Sequence, residues 1–224
     1  MLTIKNLSKR FGETQAVNDL SFNVYPGQIT GLIGQNGAGK TTAFHSILNF
    51  LNYSGEILWN DQPITENTLD EIGYLPEERS LLQKMTIEQH ILYLAKLKGK
   101  RAQAIKPLIN DWLAKFQVKG GRKDLIKSLS KGNQQKVQLI CTLIHQPKLI
   151  ILDEPFSGLD PVNADLLKNA VVEMKEKGAA IIFSSHDMSN VEAVCDRLVM
   201  LRKGRSVLNG TLDEVREQFG RTEL

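Results

Sequence analysis

The chain is poor in cysteine, in histidine, in net charge and in long apolar runs. Two cysteines occur in 224 residues, each in an apolar setting: "LICTLI" around Cys141 and "VEAVCDRLVM" around Cys195. That excludes a disulfide-built scaffold and favours buried free thiols in a reducing compartment. The 4 histidines stand apart from one another and form no metal-ligand cluster in the sequence. Lys and Arg number 28 against 25 Asp and Glu, a net charge of +3. This is too small an excess to argue for a nucleic-acid partner, and none is expected. No apolar stretch approaches the roughly 18 residues that suggest a membrane span. The start, "MLTIKNLSKRF", lacks the apolar centre of a signal peptide, so a cytoplasmic location is expected. No repeat or low-complexity linker divides the chain.

What is present changes character along the sequence. The first third reads as strands: "LTIKNLSK", "AVNDLSFNV" and "QITGLIG". "SGEILWNDQPI" alternates polar and apolar residues up to an Asn-Asp turn, which predicts a hairpin. In "TIEQHILYLAKLKG", Thr86 and Gln89 form a capping box ahead of an apolar face of Ile87, Ile91, Leu94 and Ala95. "IKPLINDWLAKFQV" also has helical period, with Pro107 marking a start or a kink. The last third alternates the apolar runs "LIILDE", "AAIIFSS" and "RLVMLRKG" with helical stretches, the pattern of a parallel sheet buried on both faces. The expected fold is α/β, led by an antiparallel sheet and interrupted by a helical insert.

The segment "GLIGQNGAGKTT" matches G-x-x-x-x-G-K-[ST] and lies between an apolar strand and a helix, the context this phosphate-binding loop requires. Its glycines, Gly34, Gly37 and Gly39, let the backbone through Asn36 and Ala38 curl into a nest of N–H groups aimed at phosphate oxygens. The helix beginning at Lys40, Thr41 and Thr42 adds its positive end. Lys40 can reach the terminal phosphates of a nucleotide, and the Thr41 hydroxyl can hold Mg²⁺. At "LIILDEP" a buried strand ends in two acids. An Asp in that position is costly unless a cation neutralises it, so Asp153 is the expected metal partner. Glu154, expected to point elsewhere by strand alternation, suits a general base acting on water. His186 ends the run "AAIIFSSH", at the sheet edge where open α/β sheets bind ligands. His45, His90 and His145 lie in helical stretches and carry no assignment.

A second anion-binding device, the helix start "LSKGNQQKV", raises the question of why one chain needs two. The motifs in order, "GQNGAGKTT", "LSKGNQQKV", "LIILDEP", "SGLD" and "SSHD", resemble the nucleotide-binding subunits of ATP-binding-cassette (ABC) transporters over essentially the whole chain. The resemblance implies a P-loop NTPase (RecA-like) core over 1–224, with an N-terminal antiparallel β subdomain and a helical subdomain near 80–145. It implies ATP and Mg²⁺ as ligands and a second ATPase subunit, packed head to tail, whose ATP would meet Ser130 and Gly132 in trans. It also implies adenine stacking on Phe11, in place of the more usual tyrosine, with Val17 beside it. Asp160 of "SGLD" would sit in the loop that crosses the dimer. Two departures stand out. The usual "LSGGQ" reads "LSKGN", with Lys131 and Asn133 substituted; and Glu77 of "IGYLPEE" holds the place of a glutamine that touches Mg²⁺ and the membrane subunit. "YLPEERSLLQKMT" resembles a branch of exporter ATPases with a further C-terminal extension, so such an extension is expected. A separate permease, and a place at the cytoplasmic face of the membrane, follow from the same resemblance. The competing reading is a soluble ABC ATPase, such as one serving iron–sulfur cluster assembly. A nucleotide-binding regulator with a decayed site is disfavoured by the intact Lys40, Asp153, Glu154 and His186.

Overall fold

Ten residues of alternating character open the chain as β1 (Leu2–Phe11), paired antiparallel with β2 (Thr14–Val24). Leu2, Ile4 and Leu7 of β1 and Leu20, Phe22 and Val24 of β2 turn inward to one apolar cluster. The structure, a computed structural model, describes residues 1–78 and 80–219. The sequence readings at Arg79 and from Gly220 to Leu224 fall outside those residues. β3 (Ile29–Ile33) follows, buried at every position, and the phosphate loop joins it to α1 (Lys40–Ile47). β4 (Ser54–Trp59) and β5 (Gln62–Pro63) form the expected hairpin. Asn60 and Asp61 at its turn have φ of 51° and 61°, the left-handed pair that a type I′ turn demands. After α2 (Glu66–Leu69) comes β6 (Ile72–Leu75).

Between β6 and the next strand lie α3 (Ile87–Leu97), α4 (Ala102–Ile105), α5 (Ile109–Lys115) and α6 (Lys131–Leu143). The Thr86–Gln89 capping box forms in both directions at the start of α3. Ile87, Ile91 and Ala95 are buried and Leu94 is half-buried. Pro107 falls in a short 3₁₀ turn that joins α4 to α5, where its missing N–H costs no helix bond. β7 (Leu149–Leu152), α7 (Pro161–Glu176), β8 (Ala180–Ser185), α8 (Met188–Val194), β9 (Arg197–Arg202), β10 (Arg205–Thr211) and α9 (Leu212–Phe219) complete the order.

Two sheets result: a four-stranded antiparallel one, β2-β1-β4-β5, and a six-stranded one, β10-β9-β3-β8-β7-β6. In the larger sheet every pairing is parallel except the β9–β10 hairpin. Its side chains alternate between two apolar layers. Ile150, Leu152, Ile181 and Phe183 face the helical layer, while Leu149, Ile151, Ala180 and Ile182 face the antiparallel sheet and α1. That two-sided burial explains the unbroken apolar runs. Both cysteines are free and buried. Among the described residues no helix is long and apolar enough to cross a membrane.

Candidate functional site

The strand register brings the chemistry to one edge. Ile33 pairs with Ser185, Leu152 with Phe183, and Leu75 with Leu152. The residues that follow these ends are Gly34, His186, Asp153 and, after Pro76, Glu77, so four separate stretches of sequence meet at the carboxyl side of the sheet. A cleft of about 330 Å³ there is lined by Asn36, Gly37, Ala38, Gly39, Lys40, Thr41, Thr42, Glu77 and Glu154, with Ala16.

Two glycines of the loop are required by space. A Cβ on Gly34 would lie 2.6 Å from the Leu201 carbonyl oxygen. At Gly39, φ is +108° and a Cβ would lie 2.5 Å from the Ala16 carbonyl oxygen. Lys40 Nζ donates to the Gly34 carbonyl at 2.6 Å and lies 3.2 Å from Glu154 Oε1. Both side chains of that ion pair are more than nine-tenths buried. Glu154 Oε2 is 3.0 Å from His186 Nδ1, and the imidazole is exposed. The arrangement links a fixed cation, a carboxylate and an imidazole in a row.

Glu154 reaches this position by a route that alternation does not supply. β7 ends at Leu152, and Glu154 has φ of +46°, a left-handed conformation that a non-glycine residue adopts at a cost of about 1–3 kcal/mol. The turn of the backbone, and not strand alternation, separates it from Asp153. Ser184 holds the two acids together. Its Oγ donates to Asp153 Oδ1 at 2.6 Å and accepts from the Glu154 N–H at 2.8 Å. The sequence reading passed over Ser184; its one signal was a hydroxyl ending an otherwise apolar strand.

Asp153 Oδ2 is buried with no hydrogen-bond partner. An orphaned carboxylate oxygen in a water-poor site is satisfied by a cation. Glu77 lines both the phosphate cleft and an adjoining cavity of about 630 Å³ shared with Asp153, Gln135 and Gln138. Thr41 and Glu77 line the phosphate cleft and Asp153 the adjoining cavity; hydroxyl and carboxylate oxygens are the kind of donor that suits Mg²⁺.

Other predicted residues lie outside the cleft lining. Phe11 is exposed at the end of β1, with Lys9 Nζ 4.9 Å from its ring centroid. Val17, expected beside a base, is fully buried and packs behind Gly39; Ala16 is the residue that lines the cleft. A register irregularity at this point, where Lys9 pairs with Val17 and Arg10 with Gln15, leaves Ala16 unpaired on β2. Ser130 caps α6 and Asp160 caps α7. The two caps are neighbours, because a Cβ on Gly132 would lie 3.9 Å from Asn163 Nδ2, whose amide donates to Asp160 Oδ2. None of Ser130, Gly132 and Asp160 lines the phosphate cleft of this chain.

A mainly parallel α/β sheet whose central strand feeds a glycine loop into a helix, with a buried acid pair just past β7, on the far side of β8, defines a P-loop nucleotide-binding protein. Comparison with known proteins narrows the class. The ABC transporter family matches residues 17–157. The chain is 47% identical, over its whole length and 76% of the other protein, to the uncharacterized ABC transporter ATP-binding protein YhaQ of Bacillus subtilis (strain 168). It is 30% identical, over 96% of its length and 92% of the other, to the lipopolysaccharide export system ATP-binding protein LptB of Escherichia coli (strain K12). A solved ATP-binding subunit of an ABC transporter superposes with a TM-score of 0.91 at 34% identity, over 98% of this chain and 93% of that one. The chain belongs to the ABC transporter family as an ATP-binding subunit, a family of ATPases.

Proposed function

We propose that the protein hydrolyses MgATP at composite sites of a head-to-tail dimer, and so drives export through a permease encoded on a separate chain. The observation that carries this reading is a division of labour: the loop, cation and base share one cleft, while Ser130 and Gly132 stand elsewhere. A second subunit, identical or paralogous, would supply the missing donors. Residues 1–224 act as one nucleotide-binding domain with its helical subdomain near 80–145, held at the cytoplasmic face of the membrane.

Lys40 is tied to Glu154 and to the Gly34 carbonyl. The terminal phosphates of ATP are a stronger partner for the ammonium and draw it away. Glu154, held toward His186, is then free to take a proton from water as its oxygen attacks the terminal phosphorus and ADP leaves. His186 orients that carboxylate by donating from Nδ1, and with its second nitrogen also protonated it would donate to the departing phosphate. Thr41, Asp153 and Glu77 would hold Mg²⁺, which supplies charge neutralisation at the phosphate oxygens when bound. Phe11 would stack on the adenine ring.

Export is favoured by the likeness of "YLPEERSLLQKMT" to exporter ATPases and by a relative named for an export system. A groove of about 370 Å³ lined by Tyr74, Pro76, His90, Leu94, Leu97 and His145 adjoins the Glu77 segment and fits the permease contact.

Complementation between two inactive chains tests the composite site. One chain carries Lys40→Ala, the other Gly132→Asp, which sets a carboxylate against the partner's phosphate. In a mixed dimer both lesions fall in one site and leave the other intact. With Glu154→Gln added to both chains, about one trapped ATP is expected per mixed dimer, and little in either homodimer. Mixed dimers that form but hold no more ATP than the parents would refute the trans arrangement.

A further inference from the structure

The signature segment differs from its family pattern at its fifth residue, and that residue is hydrogen-bonded twice to its first serine. Ser130 Oγ accepts from the Asn133 backbone N–H at 3.3 Å and from Asn133 Nδ2 at 3.0 Å. Helix capping needs only the first of these bonds. The second comes from a side chain whose own orientation is fixed, since Asn133 Oδ1 accepts from the Lys119 N–H at 3.0 Å. Turning the amide over would set its NH₂ against that N–H, so Nδ2 has to face the serine.

A hydroxyl has two acceptor positions and one proton. Asn133 fills both acceptor positions of Ser130. The proton is what remains, on an exposed side chain at the start of a helix. We infer that Asn133 is a positioning residue of the signature: it makes the Ser130 hydroxyl a donor only, committed to an anionic oxygen of the opposing subunit's nucleotide. The inference rests on the proposal that Ser130 acts in trans. It adds that the amide at 133 matters by the polarity it imposes on Ser130, and that the Lys119 backbone takes part.

A purely structural role and a positioning role predict opposite results for Asn133→Asp. An acid in the first turn improves a helix start, so a structural role tolerates it. In the positioning role, one carboxylate oxygen still accepts from Lys119, while the other takes the Ser130 proton and withdraws it from the phosphate. The readout is the ATP concentration for half-maximal dimer formation by sedimentation in the Glu154→Gln background, beside ATP binding to the monomer by equilibrium dialysis. Asn133→Leu, isosteric but without an amide, is expected to raise the dimerisation midpoint about fivefold, in keeping with the loss of the one neutral hydrogen bond that fixes the polarity of Ser130. Asn133→Asp should raise it further, and Asn133→Gln should stay near the parent. Monomer binding should stay within about twofold throughout, since these bonds do not reach the chain's own cleft. If Ser130→Ala abolishes dimerisation while Asn133→Leu overlays the parent, the positioning role is overturned and the trans reading stands. If Ser130→Ala also overlays the parent, both fall. Should Asn133→Leu fail to fold, equal dimerisation by Asn133→Asp and Asn133→Gln overturns the role.

Discussion

Two histidines that the sequence left unassigned make the plainest single-residue prediction. His90 and His145 are buried, and neither ring nitrogen of His90 has a hydrogen-bond partner among the described residues. Burial holds each at about 4, and for His145 the ammonium of Lys98 acts in the same direction. Their folded values lie below the roughly 6.5 of an unfolded chain. The unfolded state therefore binds protons first, and stability is lost as pH falls from about 6.5 towards 4. The slope is about 1.4 kcal/mol per pH unit for each imidazole. Urea unfolding of His90→Leu should show a shallower loss between pH 6.5 and 5 than the parent. Coincident slopes would mean that His90 is not the titrating group. At the site, Lys40, Thr41, Asp153, Glu154 and His186 were readable because each falls at a fixed place in a motif. The bond from Ser184 to both acids was not, because β8 and β7 meet only in the folded sheet. Glu77 is open to a magnesium titration. Glu77→Ala should raise the Mg²⁺ needed for half-maximal ATPase rate several-fold, in keeping with the loss of one oxygen ligand, whereas an unchanged curve would leave Glu77 to the permease contact alone.

At the scale of elements, local chemistry was legible and long-range geometry was not. The Asn60–Asp61 turn, the Thr86 capping box and the Pro107 break are each decided within a few residues, and the structure contains all three. The conformation of Glu154 was invisible: nothing in "LDEP" announces a φ of +46°. It arises where the backbone must bring one acid to Lys40 while Ser184 keeps the other. The loop from β3 to α1 carries a prediction of its own. Gly39→Ala meets both a left-handed φ and the Ala16 carbonyl, so β2 and the loop must separate. A destabilisation of about 2 kcal/mol or more is expected, with loss of ATP binding beyond what stability explains. Parental ATP affinity in a folded Gly39→Ala protein would show that the loop tolerates the shift.

For the whole molecule, the parallel character of the sheet could be read from its buried runs, but its strand order could not, since crossovers leave no mark on local periodicity. The antiparallel β10 at the edge, paired through the turn at Lys203 and Gly204, was likewise unforeseen. The groove beside Glu77 gives the assembly-scale prediction. Bound to its permease, the subunit should exchange amide hydrogens more slowly over residues near 75 to 95, and unchanged exchange in a verified complex would place the contact elsewhere. The central strand has a further consequence, for synthesis. β3 lies between β8 and β9, with Ile29 beside Ile181 and Thr30 beside Arg197. Both neighbours come from the last quarter of the chain. On the ribosome, "ITGLI" must wait as an unpaired apolar segment until residues 180–202 have emerged. The nascent chain therefore cannot hold ATP early, and a chaperone that shields short apolar strands has its longest opportunity at the segment that later carries the phosphate loop.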